Sequence, residues 1–124
     1  MKINNVVVIG SGTMGGGIAA QLCNANIPVT LLDLKTEISK KARDIIFNSR
    51  PPLLLDKSKI NNIKVGNISD DFGTVKKADW IVEAVVERID IKHNLYEKIF
   101  KKKKEGSIVS SNTSSIPIKV LAQN

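Results

Sequence analysis

Val6 to Ala20 reads VVVIGSGTMGGGIAA, a β-branched apolar run that passes through glycine into a segment of different periodicity. Val6–Ile9 has no polar alternation, which predicts a strand buried on both faces. Gly10 ends it. From Thr13 to about Asn26 the apolar residues Met14, Ile18, Ala19, Leu22 and Cys23 recur at helical spacing, until Ile27-Pro28 breaks the pattern. Val29–Leu32 then predicts a second buried strand, ending in Asp33.

Gly10, Gly12 and Gly15 form GxGxxG at the strand-to-helix junction, the context this otherwise weak motif needs. The first glycine permits a tight turn, the second lets a pyrophosphate approach the backbone, and the third lets the helix pack close to the strand. The helix N-terminus would then face the phosphates with unpaired N–H groups and its positive dipole end. Gly16 and Gly17 extend the run, and close packing is expected there as well. Asp33 stands 23 positions after Gly10, near the roughly 20-residue offset at which a carboxylate meets the adenosine ribose. A carboxylate accepts hydrogen bonds from a ribose diol and repels a 2'-phosphate, so NAD is the expected cofactor rather than NADP. No GKS or GKT sequence suggests a P-loop.

Further along, Thr36–Phe47 predicts a charged helix with Ile38, Ala42, Ile45 and Ile46 on its apolar side. Arg50–Asp56, with two prolines and a short apolar run, is the least readable stretch. Ile63–Ile68 predicts a strand, Asp70–Lys77 a turn or short helix, and Trp80–Val86 another mostly apolar strand. Asp90–Lys103 predicts a helix with Ile91, Leu95, Ile99 and Phe100 on one face, followed by a short strand at Ser107–Ser110. Strands alternating with helices at these spacings require parallel pairing, so the fold class is α/β, a doubly wound, Rossmann-like sheet.

The 124 residues amount to one domain, 42% hydrophobic, with no apolar run near the roughly 20 residues of a membrane span. Met1-Lys2 leads straight into the first strand without a signal-peptide layout, so a cytoplasmic protein is expected. The net charge of +7 raises nucleic acid as a partner, but the lysines are dispersed and aromatics are only 4%, so no nucleic acid is expected. Lys101–Lys104 has a plainer role, closing a helix where cations complement its dipole. Cys23 reads as a small buried filler, and no metal site is expected.

With GSGTMGGGIA, Asp33, WIVEAVVERIDIK at Trp80–Lys92 and SSNTSSIPI at Ser110–Ile118 in order, the chain resembles the NAD-binding domain of 3-hydroxyacyl-CoA dehydrogenases. EAVVE and SNTSS are specific to that family; 6-phosphogluconate-type dehydrogenases share an IGxGxMG opening but are not expected to carry them. The segment RPPLLLDKSKINNIKVGNISDDF looks like the version found in a large multidomain-type branch.

The resemblance implies oxidation of the 3-hydroxyl of an acyl-CoA to a ketone with hydride passing to NAD, as in fatty-acid β-oxidation. It also assigns residues. Gly12, Thr13, Met14, Gly15, Gly16 and Gly17, after Gly10, would line the pyrophosphate, and Asp33 would hold the ribose. Val85, Val86 and Glu87 would border the nicotinamide, with Lys92 nearby, and Ser114 would contact both the substrate hydroxyl and the nicotinamide region. The plainer alternatives are a charge cluster of Glu83, Glu87 and Lys92, and an N-cap at SSNTSS.

The family's general base is a histidine paired with a glutamate, in a GxHFFNP-like motif that follows SNTSS. That pair is not in this sequence, so no catalytic residue is expected within it, and His93 does not match the position. The domain is accordingly expected to be single, spanning 1–124 and incomplete at its C-terminal end, without the helical domain that completes the substrate cleft and dimerises. Acyl-CoA would be a partner only when that part is supplied, and an unpaired sheet edge would invite self-association. The rival reading is a stand-alone NAD-binding or sensing module that docks on a partner chain.

Overall fold

The computed structural model describes residues 3–49, 52–84 and 89–111, with backbone alone at 13, 14, 89–93 and 111. Five strands form one sheet: β1 (Val6–Ile9), β2 (Val29–Asp33), β3 (Ile63–Asn67), β4 (Trp80–Glu83) and β5 (Ile108–Ser111). Their order is β3-β2-β1-β4-β5 and all neighbours are parallel. Central β1 places Val8 beside Leu31 on one flank and Val82 on the other. The expected doubly wound sheet is therefore the observed one.

Both faces of β1 are covered, which is why its sequence does not alternate in polarity. Val6 and Val8 pack with Ala19, Cys23 and Ile46 on the face of α1 (Thr13–Asn24) and α2 (Thr36–Asn48). Val7 and Ile9 pack with Val75, Leu95 and Ile99 on the opposite face, under α4 (Ile89–Lys102). Cys23 is buried and its thiol donates to the Lys59 carbonyl at 3.1 Å. Burial pushes its pKa up, so it is the inert filler its context predicts.

Several boundaries differ from the sequence expectations. α1 stops at Asn24 rather than near Asn26, because Asn26 adopts φ 63° and the N–H groups of Asn26 and Ile27 return to the carbonyls of Cys23 and Leu22. This double return satisfies the last carbonyls, and Pro28 prevents continuation. β3 ends at Asn67, whose side chain caps the short helix α3 (Ile68–Asp71) by accepting from the Asp70 N–H. β4 ends at Glu83; residues 85–88 lie outside those described. A 3₁₀ turn at Lys57–Asn62, not foreseen, is capped by the Asp56 carboxylate accepting from Ser58.

Two helix faces also depart from expectation. On α2, Ile46 is buried, but Ile38 and Ile45 are exposed and Ser39 is buried instead, donating to the Gly66 carbonyl at 2.8 Å. On α4, Phe100 is half exposed while Tyr96 takes the buried position. In both cases the neighbouring element covers only part of the apolar arc. In the unreadable stretch, Leu54 is buried between exposed Leu53 and Leu55, because the Asn24 side chain clamps the backbone on either side, at Leu53 O and Leu55 N.

Asp79, just before β4, gathers three strands at the amino end of the sheet. Its Oδ2 accepts from the N–H groups of Asn4 and Asn5 at 2.8 and 3.0 Å, and its Oδ1 pairs with Lys104. Its own N–H donates to the Asn5 carbonyl, and its carbonyl accepts from Ile108 N–H. The Lys104 ammonium first, then the two backbone donors, pull its pKa down to about 2. A carboxylate depressed in the fold stabilises above its unfolded pKa, about 3.9, and that contribution is lost as pH falls through the folded value. Asp79→Asn is expected to lower the Tm at neutral pH, with the gap to wild type closing between about pH 4 and 2; a gap constant across that window would refute this role.

Candidate functional site

At the carboxyl end of β1 the chain turns sharply, with Gly10 at φ 105°, a region closed to most side chains. The Gly10 N–H donates to the Leu32 carbonyl at 2.8 Å, and the Ala84 N–H to the Ile9 carbonyl at 2.8 Å, so the turn departs from a ladder paired on both sides. A Cβ at Gly15 would overlap the Gly10 carbonyl oxygen, and Val8 stands 3.5 Å away. This close approach lets α1 start directly above the strand end. Its first turn carries no acidic residue and its N-cap, Gly12, makes no side-chain bond, leaving N–H groups and a positive dipole end for an anion.

A cavity of about 550 Å³ opens beside this helix start. Gly10, Ser11 and Gly12 form its floor, Asp33 and Leu34 one wall, and Ala84 with Leu95 and Lys98 another, so it lies outside the carboxyl ends of β1, β2 and β4. That is the switch point of a doubly wound sheet, where such folds bind ligands. Nothing lies within 4 Å of a Cβ built at Gly12, so the bare backbone borders open space. Asp33 is held by Ser11, whose N–H reaches Oδ2 at 2.8 Å and whose hydroxyl donates to the same oxygen, and by the Leu34 N–H, which reaches Oδ1 at 2.7 Å.

The donor set suits a dinucleotide: helix N–H groups for a pyrophosphate, a carboxylate for a ribose, and apolar side chains for a base. The apolar part was not anticipated. Leu34 is 74% exposed and Ile38 43% exposed, and together with Ile68 they line the cavity. An uncovered leucine immediately after a strand-end acid is the available signal, whereas helical spacing alone places Ile38 in the core. Ser11, Asn94 and Lys98, which the sequence pattern alone does not mark, also line the cavity.

Of the sequence-predicted residues, Gly10, Gly12 and Asp33 line the cavity and Gly15 supports it. Thr13 and Met14 begin α1. The close packing expected at Gly16 and Gly17 is not found. A Cβ at Gly16 would make only ordinary contact with Ile46, at 3.8 Å, and one at Gly17 would meet nothing within 4 Å. Lys92 and His93 lie on α4. Val85, Val86, Glu87 and Ser114 lie outside the described residues. Glu83 is fully buried at the end of β4 and accepts from the Tyr96 hydroxyl at 3.4 Å, joining α4 to the strand. Among the described residues no cluster of three metal-ligating side chains occurs, and no helix is long and apolar enough to cross a membrane.

The model of one protein family, described as 3-hydroxyacyl-CoA dehydrogenase, NAD binding domain, matches residues 5–124. A probable 3-hydroxyacyl-CoA dehydrogenase of Deinococcus radiodurans is 42% identical over 95% of this chain and 36% of its own length. A putative fatty acid oxidation complex trifunctional enzyme of Rickettsia felis is 40% identical over 99% of this chain and 18% of its own. Among solved structures, 3-hydroxybutyryl-CoA dehydrogenase from Escherichia coli K12 superposes with a TM-score of 0.87 at 30% identity, covering 100% of this chain and 27% of that one. The chain thus spans about a third or less of the length of these relatives.

The glycines separate stability from binding in a testable way. Gly15→Ala, forcing backbone against backbone, is expected to lower stability by about 1 to 3 kcal/mol or more. Gly12→Ala should leave the Tm nearly unchanged yet weaken NADH binding. Gly17→Ala, in open helix, should stabilise by roughly 0.5 to 1 kcal/mol. Thermal unfolding with and without NADH reads all three, and equal destabilisation by each would refute the assignment.

Proposed function

The chain belongs to the family of 3-hydroxyacyl-CoA dehydrogenase NAD-binding domains, and from that premise we propose that it is the nucleotide-holding part of an enzyme that oxidises 3-hydroxyacyl-CoA to 3-oxoacyl-CoA. The observation that carries this reading is the cavity where the open Gly12 backbone, the start of α1 and the fixed Asp33 carboxylate meet. NAD, when bound, accepts the hydride leaving the substrate's C3.

In this reading the chain binds and orients. The first-turn N–H groups of α1 hold the pyrophosphate. Asp33 accepts from a ribose hydroxyl and disfavours a 2'-phosphate, while Leu34, Ile38 and Ile68 cover the base and exclude water from it. Thr13 and Met14 lie within that first turn; Gly16 and Gly17 follow it, with the Gly16 N–H donating to the Gly12 carbonyl at 2.8 Å, and are assigned to the cofactor by family resemblance alone. Val85, Val86, Glu87, Lys92 and Ser114 are assigned to the nicotinamide and substrate side by family resemblance.

Oxidation of an alcohol also needs a general base for the hydroxyl proton. The sequence holds one histidine, His93, and it lies inside α4 rather than in the family's catalytic motif. We therefore place the base on a segment other than these 124 residues and expect no turnover from them alone.

Calorimetric titration tests the reading directly. Saturable NADH binding with NADPH much weaker is expected. Asp33→Ala should cost NADH about 1.5 to 3 kcal/mol and narrow the discrimination, because a charge-assisted hydrogen bond is lost. Absence of NADH binding would overturn the cofactor assignment, and NADH oxidation by the isolated chain with acetoacetyl-CoA would overturn the missing base.

A further inference from the structure

We infer that Ser11 is a positioning residue that sets cofactor preference by holding the Asp33 carboxylate in one orientation, an inference that rests on the NAD reading above. Ser11 occupies the first variable position of GxGxxG, is only 8% exposed, and lines the cavity. No motif requires serine there.

A carboxylate offers about four lone-pair sites. Ser11 takes two on Oδ2, one with its N–H at 2.8 Å and one with its hydroxyl, and the Leu34 N–H takes one on Oδ1 at 2.7 Å. One acceptor position is left, on Oδ1. Donors from two separate segments, the β1–α1 turn and the residue after β2, hold both oxygens, so the side chain cannot swing without breaking charge-assisted bonds.

Orientation matters because the same carboxylate performs two tasks. It accepts a hydrogen bond from a ribose hydroxyl, and it repels a phosphate placed at that hydroxyl. Each requires the charge to stay where the ribose arrives, since a carboxylate that rotates toward water is screened. Removing the Ser11 hydroxyl leaves the backbone N–H but releases half of the hold on Oδ2. Attraction for the diol and repulsion of the 2'-phosphate should then weaken together. A serine that merely packed the turn would change NADH and NADPH binding alike.

The test is a double-mutant cycle read by titration of the 124-residue chain with NADH and NADPH. Ser11→Ala is expected to weaken NADH binding roughly two- to tenfold and to narrow the NADH-over-NADPH preference by at least that factor. In an Asp33→Ala background the same change should alter NADH affinity by less than about twofold, because no carboxylate remains to be positioned. Ser11→Cys, which keeps the volume but offers only a weak S–H donor, carries the comparison where alanine disturbs folding, and should narrow the preference in the same direction. An unchanged preference in the variants, or equal losses in both backgrounds, would overturn the role of Ser11. A wild-type chain that does not bind NADH fails earlier, at the cofactor reading, before any Ser11 variant is compared.

Discussion

The close approach of α1 to the end of β1 is the constraint from which the rest of the site follows. Backbone meets backbone at Gly15 and Gly10, a distance that no Cβ permits. Because the helix starts there, its N-terminal turn lies over the carboxyl end of the central strand rather than beside it. The crevice between β1 and β4 then has a floor of bare backbone, and Asp33, carried to the same level by β2 pairing in register with β1, becomes its wall. Moving the helix outward by the width of a methyl group would separate these parts.

How much of this was legible depends on whether the determining forces are local. Val6–Ile9, the GxGxxG turn and Asp33 announce themselves, because a doubly covered strand, a positive-φ turn and a strand-end acid each impose a residue type on one position. Ser39, Tyr96 and Ile38 do not. Helical spacing says that a face is apolar but not how wide an arc the neighbour covers, so Ser39 and Tyr96 are buried where Ile45 and Phe100 were favoured. Ser11 and the Asp79 clamp were invisible for a related reason. Their partners stand 22 and 75 residues away, and nothing in a linear pattern pairs a turn serine with one acid or a loop acid with residues before the first strand.

The strongly basic composition also finds local employment. Lys101 and Lys102 occupy the last turn of α4, Lys101 pairs with Glu97 at 3.6 Å, and Lys104 pairs with Asp79. Lys57 and Lys103 lie over the rings of Phe47 and Phe100, both of which are partly exposed. These cations shield apolar surface and complement helix ends.

The two aspartates that organise the sheet stand at its opposite ends. Asp79 ties Asn4, Asn5 and Lys104 together where the strands begin, while Asp33 works where they finish. A lineage drifting under a new nucleotide supply could therefore try substitutions around the second acid while the first keeps the strands gathered, so cofactor choice can evolve without first solving the folding problem anew.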